Sequence, residues 1–471
     1  MFIPASVASS PSELLDDLMV EAGEEPASTQ VEIVGKDPIL ATPFRLGESG
    51  AAVIAAHAVA AERLHALRTG VHQNIRVDVD AAAAGMRSAA YVKFVDPSLE
   101  HREDGHMGIF PTADDRWFLY RGGCPHHFAR QLEVLGCGPD STDIAAATAK
   151  WNGLDLEEAV HAGGAVGGMV RSYEEWAAHP QAQALDALPM FELLKIGDTE
   201  PMAFPPGERP LSGVRVIDVT RVIAGPCCGR TLAEHGADVL RIGMADPPDS
   251  DAILRDTGHG KRHCALDLKS AEDAKRLHEL VADADVFIQG YRPGAVARLG
   301  FSPEQVAAER PGIVYVTISA FGHVGPWRDR RGFDSVLEAV SGLAHEVRDR
   351  ETGAPRLLLS TPLDYTTGYL TAFLTMVALR RRATEGGSYH IRVSLAQTSR
   401  WIASLTRADA ELVASQPPDL PAARLEQLLA TSTTPWGELR HLAPIARMWR
   451  TPTRWDLPTV PIGHDQPAWS S

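Results

Sequence analysis

The sequence predicts an α/β protein: an open, doubly wound parallel sheet (a Rossmann-like large domain) with a smaller α+β domain. Short apolar runs alternate with helical segments in the second half of the 471-residue chain, as expected for parallel strands joined by helical crossovers. A proline-rich stretch at 204–210 separates this half from a block rich in aromatic and polar residues. The predicted strands are 214–219, 238–242, 264–268, 286–289 and 313–318.

The chain divides into five stretches. We expect an acidic N-terminal arm at 1–30, a helix and a strand separated by a glycine stop at 31–95, and a small α+β domain at 96–205. The parallel sheet occupies 206–405. Residues 406–471 show little pattern and are expected to wrap around the large domain.

Composition restricts the function classes. The formal charge of −16 argues against binding to nucleic acid or anionic lipid, so an anionic ligand must meet a local basic site. Five cysteines without paired spacing indicate a reducing cytoplasm and no zinc site. The N-terminus has no basic leader, and no run reaches the ~18 apolar residues of a membrane helix. We therefore expect a cytoplasmic protein.

The loops after the predicted strands are where a ligand should bind, because doubly wound sheets bind ligands at the carboxyl ends of their strands. The first loop, 221–226, holds one glycine and no GxGxxG pattern, which disfavours a dinucleotide-dependent enzyme. The histidines at 126, 127, 161 and 179 lack metal-ligand spacing, and we predict no metal site.

Asp364 is the candidate reacting group. It follows an apolar run that ends at Pro362, and it opens a long apolar helix. One interpretation makes Asp364 a helix N-cap. The other makes it a nucleophile that the positive end of the helix dipole keeps ionised.

A helix, glycine and strand pattern occurs twice. A shift of 316 residues pairs 75–77 with 391–393 and places Glu48 opposite Asp364. A shift of 319 would place Arg45 there instead. Both registers, and both Glu48 and Asp364 as the working carboxylate, stay open at this point.

Ordered motifs between about residues 208 and 400 resemble those of class III CoA-transferases, of the formyl-CoA and carnitine CoA-transferase type. Residues 40–200 look like the second half of the same fold placed before the first half, so the chain resembles a permuted subunit or one and a half fused copies. The motifs are 211–218, 224–226, 236–239, 260–262, 266–269, 291–295, 300–301, 319–322 and 325–326.

This resemblance implies a reaction and a site. Asp364 would attack an acyl-CoA to form an acyl-aspartyl anhydride and then an aspartyl-CoA thioester, with CoA as co-substrate and no permanently bound cofactor. Lys269 and Arg298 would meet the CoA phosphates. The positions matching the family's CoA site are Val222, Ile223, Ala224, Leu266, Lys269, Tyr291, Ala295, Arg298, Leu299 and Phe321.

The resemblance also implies an intertwined homodimer acting on an acyl-CoA and a carboxylic acid, although a permuted chain could instead close on itself. Two alternatives stay open. One is an isomerase like the 2-methylacyl-CoA racemases, but Phe333 stands where those enzymes have a proton-exchanging histidine. The other is a noncatalytic CoA-binding subunit.

Overall fold

The computed structural model describes residues 10–100, 107–245, 251–349 and 351–470. It confirms the predicted α/β class with a large, mainly parallel sheet. None of the helices in these ranges is long and apolar enough to cross a membrane.

The N-terminal part contains one long helix among short elements. Its elements are α1 (Pro11–Glu21), β1 (Val31–Val34), α2 (Leu46–Thr69), β2 (Ile75–Asp78), α3 (Val79–Gly85) and β3 (Lys93–Phe94). The next part is the small α+β unit. Its elements are β4 (Met107–Pro111), β5 (Trp117–Arg121), α4 (Pro125–Leu135), α5 (Ser141–Thr148), α6 (Gly153–Ala162), β6 (Gly167–Met169), α7 (Tyr173–Ala177) and α8 (Pro180–Asp186).

The large unit follows and alternates strands with helices. Its elements are β7 (Glu192–Gly197), β8 (Arg215–Val219), α9 (Ala224–Glu234), β9 (Asp238–Gly243), α10 (Asp251–Thr257), β10 (Lys261–Ala265), α11 (Ala271–Val281), β11 (Val286–Gln289), α12 (Pro303–Glu309), β12 (Val314–Ser319), α13 (Asp334–Val340), α14 (Leu343–Glu346), α15 (Pro362–Glu385), β13 (Ser388–Ser394) and α16 (Leu395–Ser404). The C-terminal elements are α17 (Ala410–Ser415), α18 (Ala422–Glu426), β14 (Leu429–Thr434), β15 (Gly437–Leu442) and β16 (Arg447–Met448).

The large sheet has the strand order β10-β9-β8-β11-β12-β13-β7, and all its pairings are parallel except that of β7 with β13. Alternate strand residues enter two separate apolar cores, as Val216 and Ile217 of β8 illustrate. Both faces of the sheet are therefore covered. Strand order reverses between β8 and β11, which is where such a sheet forms a ligand crevice.

Most predicted strands lie within one or two residues of their observed positions. The exception is β10, which begins three residues before the predicted 264–268. The prediction missed its start because a lysine, an arginine and a histidine do not resemble a buried strand. Lys261 is nevertheless fully buried, and its Nζ donates to Asp218 Oδ2 at 2.7 Å.

The small unit has a three-stranded antiparallel sheet, β4-β5-β6, against which α4, α5 and α6 pack. Two short helices, α7 and α8, follow β6, with a break between them at 178–179. The break occurs because His179 precedes Pro180 and caps α8, its Nδ1 accepting the N–H of Gln181 at 3.1 Å. β7 then leaves this unit and joins the large sheet.

The N-terminal part is a truncated copy of the large unit. Helices α2 and α15 have 24 residues each, and the first and last residues of α15 both come 316 positions after those of α2 in the sequence. Gly70 and Gly386 follow them with the same φ of 71°. Sheet β1-β2-β16 repeats the pairing pattern of β12-β13-β7, parallel and then antiparallel. The 316-residue register is therefore correct, and Glu48 corresponds to Asp364.

The C-terminal stretch is more ordered than the sequence suggested. β14 and β15 form a hairpin that pairs with β3, in a threonine-rich segment whose polarity hid its strands. Later residues return to the large unit, where Asp465 Oδ2 accepts the N–H of His263 at 2.7 Å and Trp469 Nε1 donates to Leu280 O at 3.2 Å. The C-terminal residues therefore contact the large unit.

We expect Lys261→Met to lower the free energy of unfolding by about 3 kcal/mol, because it leaves the Asp218 carboxylate buried without its cation. Urea denaturation measures this change. Lys275→Met is the matched control, since the Lys275 side chain is 80% exposed and its loss should have little effect. Equal stabilities of the two variants would contradict the structural importance of the buried pair.

Candidate active site

Asp364 lies in the first turn of α15, two residues after Pro362, which occupies the first helical position. The N-cap is Thr361, whose side chain makes no capping hydrogen bond. The N-cap interpretation of Asp364 is therefore wrong. Asp334 takes that role from another helix, because its Oδ2 accepts the N–H groups of Leu363 at 2.8 Å and Asp364 at 3.0 Å. The Asp364 side chain does not cap its own helix.

Asp364 lines a cavity of about 350 Å³ at the point where strand order reverses. Loops at the carboxyl ends of β8, β11 and β12 form most of its wall, and the start of α4 contributes a further edge. The lining residues are His126, His127, Thr220, Arg221, Val222, Ala224, Gly225, Gly290, Tyr291, Arg292, Pro293, Ala295, Ile318, Ser319, Ala320, Arg328, Arg330, Arg331, Gly332, Phe333, Asp364 and Leu395.

The cavity brings together part of the predicted CoA site. Val222, Ala224, Tyr291 and Ala295 line it with Asp364. The other six predicted positions do not line it. Ile223, Leu266 and Phe321 are buried, whereas Lys269, Arg298 and Leu299 are exposed.

The loop after β8 is held from behind and is strained where it faces the cavity. Val222 has a φ of 65°, a left-handed conformation that costs a β-branched residue roughly 1–2 kcal/mol. Asp218 anchors the loop by accepting the Thr220 hydroxyl group and the Lys261 ammonium group. Lys261 Nζ also donates to Pro226 O at 2.6 Å, beyond the strained residue. Strain at a cavity wall is typical of a ligand-binding loop.

The cavity is basic although the protein is acidic. Five arginines line it, from the loops after β8 and β11 and from the segment before α13. Arg331 is half-buried, and burial together with Arg292 and Arg130 lowers its pKa. This is the local basic site that the sequence required for an anionic ligand. The five arginines are Arg221, Arg292, Arg328, Arg330 and Arg331.

Phe333 lines the cavity, and its side chain cannot exchange a proton there. The Arg121 guanidinium lies over its ring at 5.2 Å, and the His127 ring lies edge-on at 6.1 Å. Sequence reasoning missed His127, because spacing along the chain gave no sign that α4 reaches this cavity. Burial and the nearby cations lower the pKa of His127 to about 4. Its imidazole is therefore neutral and weakly basic at pH 7.

The electrostatics of Asp364 differ from the expectation. Burial and the negative charge of Asp334 raise its pKa well above the ordinary value, and Arg121 only partly opposes the shift. The expectation of an aspartate that the helix dipole keeps ionised is therefore wrong. Burial is the largest cause of the raised pKa, and the charge of Asp334, which already occupies the positive end of the dipole, adds to it.

Glu48, the counterpart of Asp364, has different surroundings. It is buried, pairs with Arg45 and does not line the 350 Å³ cavity. Asp37 Oδ2 accepts its N–H at 2.8 Å, as Asp334 does for Asp364. In the described residues, sheet β1-β2-β16 has no counterparts of β8 to β11, so the truncated copy lacks the strands that carry the cavity loops. Only the second copy places its carboxylate in this cavity.

A buried cluster of His57, Glu234 and His235 lies apart from this cavity. His57 Nδ1 and His235 Nε2 are hydrogen-bonded at 3.2 Å, and the Glu234 carboxyl group lies 3.9 Å and 3.7 Å from the two rings. Sequence spacing could not find this cluster, because His57 comes from α2 and the other two residues come from the end of α9.

Comparisons with known proteins find relatives that are named as CoA-transferases or acyl-CoA transferases. The chain is 31% identical over 320 residues to an acetyl-coenzyme A transferase, nodX, of Hypoxylon pulicicidum, covering 62% of this chain and 54% of that protein. It is 34% identical over 201 residues to the succinyl-CoA–L-malate CoA-transferase beta subunit of Chloroflexus aurantiacus, covering 40% and 49%. The chain spans about half the length of the curated relatives it matches.

Among solved structures, a CAIB/BAIF family protein from Brucella suis is 26% identical and covers 49% of this chain and 65% of its own, with a TM-score of 0.39. The sequence profile described as CoA-transferase family III matches residues 211–432, the segment that contains Asp364 and most of the cavity. Over these residues, the chain is similar to CoA-transferase family III.

Proposed function

We propose that the protein transfers CoA from an acyl-CoA to a carboxylic acid, with Asp364 as the nucleophile. The observation that carries this proposal is the position of Asp364 in a basic cavity at the sheet's switch point, beside Val222, Ala224, Tyr291 and Ala295 of the predicted CoA site. CoA is the co-substrate in this proposal, and no cofactor is held permanently.

The proposed reaction conserves the thioester bond energy. The Asp364 carboxylate attacks the thioester carbonyl, the C–S bond breaks, and CoA thiolate leaves an acyl-aspartyl anhydride. The thiolate then attacks the Asp364 carbonyl carbon and releases the first acid as a carboxylate, which leaves an aspartyl-CoA thioester. The incoming carboxylate then attacks the aspartyl-CoA thioester and displaces CoA thiolate, which forms a second anhydride. The thiolate attacks this anhydride at the carbonyl carbon of the new acid, which gives the new acyl-CoA and releases the Asp364 carboxylate.

The cavity walls supply what these steps require. Each attack places negative charge on a carbonyl oxygen, and each acid enters or leaves as a carboxylate, so arginines at the wall stabilise both. The raised pKa of Asp364 makes its carboxylate a stronger nucleophile once it is ionised. The ionised fraction rises with pH, and the reaction rate should rise with it until Asp364 is fully ionised.

Two observations guide the choice of substrates and argue against proton-transfer chemistry. Relatives in Chloroflexus aurantiacus and Homo sapiens are named for succinyl-CoA with malate or with glutarate, so we propose dicarboxylic acids as the first substrates to test. A second carboxylate on either acid would meet the arginines of the cavity. An isomerase is disfavoured because Phe333 carries no proton and His127, with a pKa of about 4, is a weak base.

We predict that incubation with succinyl-CoA and hydroxylamine modifies Asp364, and that Asp364→Asn abolishes both this modification and CoA exchange. Peptide mass spectrometry locates the adduct, and exchange between succinyl-CoA and labelled succinate measures turnover. Glu48→Gln is the matched control, and its turnover should stay near that of the wild type. Full activity of Asp364→Asn with loss in Glu48→Gln would move the working site to the truncated copy. Incorporation of deuterium at the α-carbon without CoA exchange would favour an isomerase. Binding of succinyl-CoA without any adduct would favour a noncatalytic subunit.

We predict that CoA binds more tightly than NAD, and that Lys269→Ala and Arg298→Ala each weaken CoA binding by about tenfold through loss of a charge-assisted contact to phosphate. Both side chains are exposed at the carboxyl-end edge of the sheet, where a phosphate could reach them. Isothermal titration calorimetry measures the affinities, and Lys275→Ala on α11 serves as the exposed-lysine control. Tighter binding of NAD would overturn the ligand assignment.

We also propose an intertwined homodimer and predict an interface above the ~2,000 Å² of ordinary complexes. Light scattering at micromolar concentration gives the molar mass directly. A monomer would mean that the chain closes on itself, with the truncated copy filling the place of a partner. The packing of α2 against α15 within one chain is compatible with that outcome.

A further inference from the structure

Glu338 is a buried carboxyl group close to Asp364 that the proposed reaction does not use. It lies one helical turn after Asp334 in α13 and is 1% exposed. Its Oε2 accepts the N–H of Leu358 at 2.7 Å, in the segment that leads to α15. Glu338 thus contacts the segment that leads to α15, and Asp334 contacts the first turn of that helix.

Asp334 and Glu338 are four residues apart on one face of α13 and both are buried, so their carboxyl groups are placed to share a proton. Asp334 Oδ2 is occupied by the N–H groups of Leu363 and Asp364. Asp334 Oδ1 receives no hydrogen bond from an N–H or hydroxyl group of the described residues, so it is free to accept a proton shared with a second acid. Two carboxylates cannot hydrogen-bond, so one member of the pair must be a carboxylic acid.

The surroundings decide which acid holds the proton. Two backbone N–H groups and Arg121 favour the charged form of Asp334, whereas Glu338 has one N–H group and faces the charges of Asp334 and Asp364. Burial and these charges raise the pKa of Glu338 well above its ordinary value. Burial also raises the pKa of Asp334, and these surroundings together favour Glu338 as the donor and Asp334 as the charged acceptor.

Other charges near α13 are neutralised by their own partners. Glu157 pairs with Arg171 at 2.5 Å, and Glu346 pairs with Arg407 at 2.7 Å. The elements that pack against α13 are β5, β6, α14, α15 and α16. Among their titratable groups, Arg121 of β5 acts on Asp334, and Asp364 of α15 acts on Glu338.

The truncated copy provides an internal reference. Asp37 accepts the N–H of Glu48 at 2.8 Å through Oδ2, as Asp334 does for Asp364, but its Oδ1 accepts the backbone N–H of Ile39 at 3.2 Å. The aspartate cap is therefore common to both copies of the long helix. Sharing of the cap with a second acid occurs only beside the cavity, which points to a role in the reaction rather than in folding.

We propose that Asp334 and Glu338 form an acid pair with one shared proton, and that this pair is the positioning device for Asp364. Glu338 donates to Asp334, and Asp334 then holds the backbone of Leu363 and Asp364 while it places a single negative charge beside the reacting carboxyl group. If Glu338 loses the proton, the two acids repel each other and the start of α15 loses its support. The role in catalysis rests on the proposed function, whereas the shared proton does not.

Infrared spectroscopy tests the pair itself, whether or not the protein transfers CoA. We expect a carboxylic-acid C=O band in the wild-type minus Glu338→Gln difference spectrum at neutral pH, where bands of other protonated acids such as Asp364 cancel, and absence of this difference band would overturn the pair. Hydrogen–deuterium exchange of a peptide spanning 358–365 tests the positioning. Exchange should be about tenfold faster in Glu338→Ala, through loss of a buried hydrogen bond, and should return towards the wild-type rate in Glu338→Gln, whose amide can still donate to Asp334. Equal exchange in the alanine and glutamine variants would overturn the positioning role.

The pH profile of Asp364 modification tests the functional consequence. The wild-type rate should fall at alkaline pH where Glu338 ionises, and Glu338→Gln should remove that fall. Asp334→Asn keeps an oxygen acceptor for the two N–H groups but removes the charge, so the acidic limb should move to lower pH as the pKa of Asp364 falls. The matched control Asp37→Asn should leave both limbs unchanged. An unchanged pH profile in both Asp334→Asn and Glu338→Gln would overturn the role of the pair in the reaction. Failure of Asp364 to react with any acyl-CoA would instead overturn the proposed function. The infrared and hydrogen–deuterium exchange results would then decide alone whether the acid pair exists.

Discussion

The structure depends on how the buried start of α15 satisfies its backbone N–H groups. Helix termini leave these groups without intrahelical partners, and water cannot reach them here. The side chain that caps them comes from α13, in the form of Asp334, and not from the residues beside the helix start. Because the cap is supplied from elsewhere, Asp364 in the first turn is available for chemistry. The negative charge of this cap also adds to the effect of burial in raising the pKa of Asp364. The cap that folding requires at the start of α15 therefore also changes the reactivity of the Asp364 carboxyl group.

A second constraint holds the opposite wall of the cavity. The loop after β8 must pass close to the ligand, and Val222 is strained there. The buried Lys261 links this loop to β10 through Asp218 and Pro226. Two buried pairs of charged or acidic side chains thus support the cavity. The Lys261–Asp218 pair lies behind the loop, and the proposed Asp334–Glu338 pair lies behind Asp364. Both persist because each buried charge has a partner.

The sequence predicted the large sheet well, and the site only in part. Strands such as β11 were found because apolar runs bounded by turn residues are a local signal, whereas β10 was displaced because Lys261 is buried only through a partner 43 residues away. Asp364 was identified through its motif and its helix. The contributions of His127, Asp334 and Glu338 could not be foreseen, because α4 and α13 reach the cavity through tertiary packing that no spacing along the chain records.

The two copies of the long helix explain why one carboxylate carries the proposed chemistry. Glu48 has the matching position and the matching cap, but Arg45 neutralises it. Its sheet ends at three strands, so the described residues supply no β8 or β11 loop beside it. A carboxylate at a capped helix start is therefore a product of the fold, and it occurs in both copies. What distinguishes Asp364 is the cavity in front of it and the second acid behind its cap, and both come from elements that the truncated copy lacks.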